Sequence, residues 1–484
     1  MSSYMTLGTD DLHLRRTVET FEISSEDLRN AGDTRLDASF YNPYALKAIS
    51  DVRASGMNVR PLSELVERVF FPTRFKRNYV AKDRGVKFLQ GSHIVQYDPD
   101  DIKYLSRVAH DLDPILLKSG WIVMTRSGTA GRVALVPRSW DGWAASEHLL
   151  RIVPKRELEH LTGFLASYLA SEYGRAQISA QVFGAVVDEI AEKHLGSVKV
   201  PVPTTKSEVR WAEEVNNLAI GAAEKRAQST DVRFEAQSLL SELLGQQDDF
   251  EENLSFNIGY SRLVSAPERR LDARFYGEGA VRALAALDEC SMRLVTVGDL
   301  AERVFMPGRF KRHFVAEGFG QPFLRGANVV EFRPDNIKYL SSAVHTNLKD
   351  LTVQEDWILV TRSGTVGRVA IVPREWDGWA ATEDVIRVVP SDKCNPHYLA
   401  TFLASPLGKI QLVRQTFGAV VDHLTESHIR SVMVPMPRTA EQSRIVRRIS
   451  DLAKEASDLR SRAVRDLGEA EGLITSRFKT PTTP

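Results

Sequence analysis

Clusters of cations beside small hydroxyl residues are the groups in this chain best suited to binding chemistry, and each cluster occurs twice. RFKR occupies residues 74–77 and again 309–312, while RSGTAGR at 126–132 returns as RSGTVGR at 362–368. An extended RFKR would send Arg74 and Lys76 to one face and Phe75 and Arg77 to the other, and would treat Arg309, Lys311 and Arg312 likewise. Adjacent cations suit phosphates, and a planar guanidinium can hold the O6 and N7 acceptors of guanine through two bonds. In the second motif two glycines let the backbone turn sharply and approach a ligand. Ser127 and Thr129 offer short hydroxyls between Arg126 and Arg132, as Ser363 and Thr365 do between Arg362 and Arg368. Each motif also has a structural reading, a solvated charged loop for RFKR and a hairpin turn with water-facing arginines for RSGTxGR.

Catalytic constellations fail the check that duplication provides. Asp188, Glu192 and Lys193 suggest a metal-dependent nuclease cluster, but their counterparts are Asp422, Glu426 and Ser427. Asn42, Pro43 and Tyr44 resemble part of the loop by which amino-methyltransferases hold a base, yet Gly277, Glu278 and Gly279 stand in the other copy. Neither a glycine-rich cofactor loop after a strand nor a P-loop is present. His148 is replaced by Asp384, and His194 and His428 have no partner at ligand spacing, so no metal is expected. Trp140, Trp143, Trp376 and Trp379 could stack on bases, although such pairs more often clamp a core. The expectation is a chain that binds rather than catalyses.

The duplication runs through the whole chain. TRSGTAGRVALVPRSWDGWAASE at 125–147 matches TRSGTVGRVAIVPREWDGWAATE at 361–383 at 19 of 23 positions. RLDASFY at 35 returns as RLDARFY at 270, DIKYLS at 101 as NIKYLS at 336, and FGAVVD at 183 as FGAVVD at 417. A period of 234–236 residues is far longer than the roughly 20–50 of solenoids, so each copy must be a domain with its own core. Its 484 residues suffice for about two to four domains. Apolar residues at 43% and charged residues at 26% argue against a disordered chain, and no apolar run reaches the roughly 18–20 residues of a bilayer span. The start lacks the apolar core of a secretory signal, so the expected location is the cytoplasm. Cys290 and Cys394 have no counterparts in the first copy and imply neither a disulfide framework nor a metal site. Lys plus Arg equals Asp plus Glu at 63 each, so any nucleic-acid surface must arise from distribution. Residues 73–87 supply one: Arg74, Lys76, Arg77, Lys82, Arg84 and Lys87 stand against Asp83 alone.

Elements able to position these motifs are readable from periodicity. Each copy opens with an extended segment (FEISSEDL at 21, FNIGYSRL at 256) and a helical stretch. Short β-branched runs punctuated by Gly, Pro and Asp follow, such as 121–125 and 133–136, and WDGW fits a tight hairpin turn. FGAVVD reads as strand and turn of the core. After KVPVP and MVPMP the pattern becomes helical: Trp211, Val215, Leu218 and Ala222 are spaced 4, 3, 4, and Ile445, Ile449, Leu452 and Ala456 match them at an offset of 234. This predicts an α/β (α+β) fold of two β-rich domains and two long helices that pack on each other as a spacer. The expected boundaries are a first domain at 1–203, a spacer helix at 204–250, a second domain at 251–437, and a helix and tail at 438–484.

In that order, the strand–turn pattern WIVMTRSGTAGRVALVP and WILVTRSGTVGRVAIVP, FGAVVD before VKVPVP or VMVPMP, and TAEQSRIVRRI at 439–449 resemble the DNA-specificity subunits of type I restriction-modification systems. The resemblance implies a non-enzymatic subunit whose two target-recognition domains each read half of a bipartite double-stranded DNA site. It also implies docking of two DNA adenine methyltransferase subunits and a possible motor-nuclease subunit, with S-adenosylmethionine, ATP and Mg²⁺ on those partners. The resemblance further implies that the two long helices pair antiparallel and fix the gap between half-sites, while the candidate DNA contacts are the two RFKR and two RSGTxGR motifs read above. Two departures stand out. TKSEVRWAEEV at 205–215 lacks the Glu-Gln of Glu441 and Gln442, and the two domains are near duplicates, which implies two similar, inverted half-sites. The rival reading is an interaction scaffold that uses the same domains to bind protein.

Overall fold

The computed structural model of the chain describes residues 41–97, 99, 102–108, 111–127, 129–182, 189–245, 257–265, 272–344, 348–364, 366–416 and 423–479. The FGAVVD segments, with Asp188 and Asp422, and Thr365 lie outside the described residues, as does FEISSEDL.

In the first copy the strands are β1 (Asn58–Pro61), β2 (Val66–Phe70), β3 (Tyr79–Val80), β4 (Gly85–Leu89), β5 (Lys103–Ser106), β6 (Ile122–Thr125), β7 (Val133–Leu135), β8 (Ala144–Ala145), β9 (Leu149–Pro154) and β10 (Lys199–Val202). They build sheets ordered β2-β9-β6-β7 and β3-β5-β4-β8 and the pair β1-β10, all antiparallel except β4 with β8. The second copy repeats this order with β11 (Arg293–Thr296), β12 (Ala301–Phe305), β13 (Phe314–Val315), β14 (Gly320–Leu324), β15 (Lys338–Ser341), β16 (Ile358–Thr361), β17 (Val369–Ile371), β18 (Ala380–Ala381), β19 (Val385–Pro390) and β20 (Met433–Met436). Helices flanking the sheets are α1 (Pro43–Ala54), α2 (Thr162–Ala170) and α3 (Glu172–Gln181) in the first copy. The long α4 (Lys206–Leu243) follows, then α5 (Glu278–Glu289), α6 (Pro396–Ala404), α7 (Pro406–Arg414) and the long α8 (Ala440–Phe478).

Strand β6 explains why its run is uniformly apolar. Ile122 and Met124 face the core shared with α2 and α3, while Val123 faces a second cluster with Leu89, Trp140 and Leu149, so both faces are buried. Neighbouring β9 carries the exception. Arg151 has no exposure, and its guanidinium donates to the carbonyls of Ser146 (2.8 Å), Leu149 (2.6 Å), Ala145 (2.6 Å) and Ile115 (3.3 Å). Arg387 on β19 donates to Thr382, Val385, Ala381 and Leu351 in the same way. Burial pulls these guanidiniums down to about 9 and about 10, values that keep both charged at neutral pH. They tie the loop before the strand to the sheet.

Three local expectations are corrected. RFKR is not a strand but part of the β2–β3 connection, although Phe75 still packs inward, edge-on to Phe88, and Arg74 and Lys76 still point outward. WDGW turns the chain, with Gly142 and Gly378 at φ 73° and 80°, but closes no hairpin, because β7 and β8 belong to different sheets. Residues Tyr260–Ser265 are helical rather than extended. The tryptophans take the core role: Trp140 and Trp376 are buried, each beside its partner.

The long helices begin alike. Thr205 and Glu208 form a capping box on α4, and Thr439 and Gln442 form one on α8. The Thr204 and Thr205 amides hold the Glu208 carboxyl down at about 2. The helices run antiparallel, since Trp211 Nε1 donates to the Leu473 carbonyl at 3.3 Å, Ser229 Oγ to that of Ala456 at 2.6 Å, and Arg448 pairs with Glu235 at 3.0 Å. Small buried residues, among them Ala219, Ala222, Ser229, Ala456 and Ala463, line the seam. At 1.5 Å per residue α4 spans roughly 57 Å. Each helix starts on its own domain and ends in the other. Ala470, Ile474 and Phe478 of α8 enter the first domain's core, and Ala236 and Leu240 of α4 enter the second.

Two stability outcomes are expected. Phe478, edge-on to Tyr168, Tyr173 and Trp211, is 2% exposed, so Phe478→Ala should cost about 3–5 kcal/mol in denaturant unfolding. Arg151→Leu leaves buried carbonyls unsatisfied and should cost about 3 kcal/mol or more, against under about 0.5 kcal/mol for Arg84→Leu at the surface.

Candidate nucleic-acid interface

The two copies touch at a pseudo-two-fold axis over the middle of the helix pair. Residues Gln96 and Glu331 form an antiparallel bridge, with Tyr97 N–H donating to the Val330 carbonyl at 2.9 Å and Phe332 N–H to that of Val95 at 2.7 Å. Each long helix sends an arginine up to this contact to bond its carbonyls. Arg226 of α4 donates to the carbonyls of Ile94 (2.9 Å) and Gln96 (3.0 Å) and lies between the Trp140 and Phe332 rings. Its counterpart, Arg460 of α8, donates to Phe332 (3.1 Å) and Glu331 (2.9 Å) and lies between Tyr97 and Trp376. Burial lowers both guanidiniums, Arg226 to about 10.

Above this contact opens a cleft of about 530 Å³ lined from both copies, by Ser127, Thr129 and Arg132 on one side and Ser363, Gly364 and Asp384 on the other. The RSGTxGR loops, which join β6 to β7 and β16 to β17, therefore face each other across the axis. Their serines stand at the rim, and their last arginines reach the floor. Arg132 pairs with Asp335 at 2.9 Å and lies 3.6 Å from Glu331, both of the other copy, and Arg368 donates to Gln96 Oε1 at 3.3 Å. The first arginines brace the loops from behind. Arg126 pairs with Glu189 at 3.1 Å over the Phe71 ring, and Arg362 Nε donates to the Leu424 carbonyl at 3.2 Å.

From each serine a polar chain runs outward to RFKR. In the first copy Ser127 Oγ lies 2.8 Å from His148 Nδ1, His148 Nε2 lies 3.6 Å from Glu147, and Glu147 binds Arg77 at 2.9 and 3.1 Å. In the second, Ser363 Oγ donates to Asp384 at 3.3 Å, and Arg312 reaches both Glu383 oxygens at 2.9 Å and Thr382 Oγ1 at 3.1 Å. Burial alone would raise the Glu147 and Glu383 carboxyls, yet their own backbone N–H groups and the arginines hold both below the ordinary glutamate value. Beyond these pairs Arg74, Lys76, Arg309 and Lys311 are exposed, and no hydrogen bond or ion pair holds them among the described residues. Exposed rings lie one strand away, with Lys103 over Tyr79 at 4.8 Å and Lys338 over Phe314 at 4.8 Å.

One strip thus runs from RFKR of one domain, through the cleft, to RFKR of the other, and it brings together the motifs singled out in the sequence. Residues 309–463 match the family model of the type I restriction modification DNA specificity domain. The chain carries a type I restriction-modification DNA specificity domain. The EcoBI specificity subunit of Escherichia coli is 28% identical over 143 residues, 29% of this chain, and the match spans 30% of that subunit. The type I restriction-modification S subunit from M. genitalium aligns over 88% of this chain and 97% of its own at 13% identity and a TM-score of 0.41. The HsdS subunit from Thermoanaerobacter tengcongensis aligns over 88% and 97% at 15% identity and a TM-score of 0.28. Among the described residues no helix is long and apolar enough to cross a membrane, and no group of His, Cys, Asp and Glu could hold a metal.

Sequence reasoning missed the carboxylates that hold Arg77 and Arg312, the arginines at the axis, and the arginines inside the sheets. The signal was present, because Glu147 and Glu383, Arg226 and Arg460, and Arg151 and Arg387 each recur at 234–236 residues.

The depressed carboxyls fix a pH dependence. A carboxyl whose folded value lies below its unfolded one contributes stability above the unfolded value and loses it as pH falls through the folded one. Wild-type unfolding midpoints should therefore drop between about pH 5 and pH 3 more steeply than those of a Glu147→Gln, Glu383→Gln variant. Parallel curves would show that these pairs contribute nothing.

Proposed function

We propose that this chain is the DNA-specificity subunit of a type I restriction-modification complex, and that its two domains read two similar, inverted half-sites of one duplex. The observation that supports this reading most directly is the continuous strip across the pseudo-two-fold axis. A duplex read by two domains related in this way meets each of them in opposite strand sense, so near-identical domains call for near-identical inverted half-sites. Arg74, Lys76, Arg309 and Lys311 take phosphates and set the register. Ser127, Thr129 and Ser363 approach base edges or the backbone from the rim, and Thr365 is assigned the same role from its motif alone. Arg77 and Arg312 enter through a carboxylate-held guanidinium, while Arg126, Arg132, Arg362 and Arg368 keep the loops in shape.

In the same reading the chain itself is non-catalytic and acts in the cytoplasm. DNA adenine methyltransferase subunits dock along the helix pair, a motor-nuclease subunit joins them, and S-adenosylmethionine, ATP and Mg²⁺ belong to those partners. The matching capping boxes give the two helix starts the same geometry, although α4 has Ser207 where α8 has Glu441.

Duplex binding by the full chain across a salt series tests this. The slope of log affinity against log salt changes by about 0.9 per phosphate contact in B-DNA. Arg74→Ala with Lys76→Ala should weaken all sequences alike and flatten that slope by about 2. Unchanged affinity and slope would remove RFKR from the interface, and absence of any duplex binding would favour a protein-binding scaffold.

A further inference from the structure

The two halves of the strip are chemically matched at Arg74 and Arg309, Lys76 and Lys311, Arg77 and Arg312, Ser127 and Ser363, and Glu147 and Glu383. One exposed position between the last two pairs breaks the match. It is His148 in the first domain, with its side chain 47% exposed, and Asp384 in the second, 45% exposed. Both lie at the cleft rim beside the same serine and next to the same glutamate. Gln96 and Glu331 also differ, but they form the bridge at the cleft floor and are engaged there by Arg368 and Arg132.

Building on the proposed DNA reading, we infer that this pair is a specificity determinant that makes the two domains, matched at the five pairs above, read opposite hydrogen-bonding partners at one equivalent base position. An ionised carboxylate offers acceptors only. Ser363 Oγ donates to Asp384 Oδ1, and Arg312 stays 4.0 Å from Oδ2, which leaves acceptor capacity facing outward. The base edge that satisfies it must donate, and in the major groove that is the cytosine N4 or adenine N6 amine. In the first domain the matching serine lies 2.8 Å from His148 Nδ1. With Ser127 donating there, as Ser363 does to Asp384, the ring carries its hydrogen on Nε2, which lies 3.6 Å from Glu147, beyond hydrogen-bond distance, and so presents a donor. Its base partner must accept, as guanine O6 or N7 and thymine O4 do. The site read by this chain is then a near-palindrome broken at one symmetric pair of positions.

The test is selection of bound sequences from a random duplex library by the full chain, with thermal melting to confirm that each variant is folded. Wild type should select half-sites that agree except at one position, an amine-bearing base in one half and an acceptor base in the other. Asp384→His should make both halves acceptor-bearing there, and His148→Asp should make both amine-bearing, each with a preference shift on the order of tenfold at that position. Ser92→Ala, which removes the difference from Ala327 at the same cleft, should leave the broken symmetry unchanged. A selected site that keeps its asymmetry in Asp384→His, or a uniform loss of affinity with the same sequence, would overturn the inference while leaving DNA reading intact. If wild type enriches no sequence, DNA reading falls and this inference with it.

Discussion

Antiparallel pairing of α4 with α8 is the constraint that the rest of the structure obeys. Because the seam is built of alanine and serine, the helix backbones approach closely, and Ser229 bonds directly to the Ala456 carbonyl of the facing helix. Close approach fixes both register and direction. Direction then decides that each domain core is completed by the far end of the other copy's helix, as Phe478 does for the first domain. Neither domain keeps its full core without the helix of its twin, so the relative placement of the two recognition surfaces is a property of packing rather than of a linker.

Arg226 and Arg460 convert that register into a fixed domain contact. A guanidinium buried without a carboxylate is costly unless its N–H groups are matched, and here each is matched by two carbonyls and by two ring faces. The carbonyls belong to the arginine's own copy, and one ring of each sandwich belongs to the other. Rotation of either domain would therefore strip ring faces from both arginines together. Arg132, Arg175, Asp335, Arg333 and Glu471 add an ionic network on one side of the axis. The equivalents of Arg175 and Glu471 are Lys409 and Gln237, so the two-fold is approximate in charge even where it holds in shape.

Much of this was legible in the sequence, for identifiable reasons. Domain duplication, the strand runs around 121–125 and 133–136, and the 4-3-4 helical spacing all express periodicity, which local sequence carries directly. RSGTxGR was legible as a turn, since Gly131 and Gly367 adopt φ values of 89° and 79° that favour glycine. What could not be read is where a polar side chain ends when it is surrounded by non-local partners. Arg151 alternates with Leu150 and Ile152 as a solvent-facing residue should, but the face it joins is covered by the second sheet. Arg132 reads as a ligand-facing cation and instead crosses to Asp335, 203 positions away, because the axis brings the second copy beneath its loop.

The division of labour among the cations bears on how such a chain would handle DNA. Of the arginines and lysines in the two RFKR and two RSGTxGR motifs, Arg74, Lys76, Arg309 and Lys311 remain exposed and unheld among the described residues. Sequence-independent affinity scales with the number of phosphates neutralised, so on the proposed reading a strip with four such cations would bind arbitrary duplex weakly. The remaining guanidiniums are fixed by Glu147, Glu189, Glu383, Asp335, the Gln96 side chain or the Leu424 carbonyl, and their geometry is set before any ligand arrives. Preorganised polar groups discriminate well because a mismatched base leaves them unpaired in a desolvated contact. A neutral chain of this kind favours selectivity over grip, because its fixed guanidiniums outnumber its free cations.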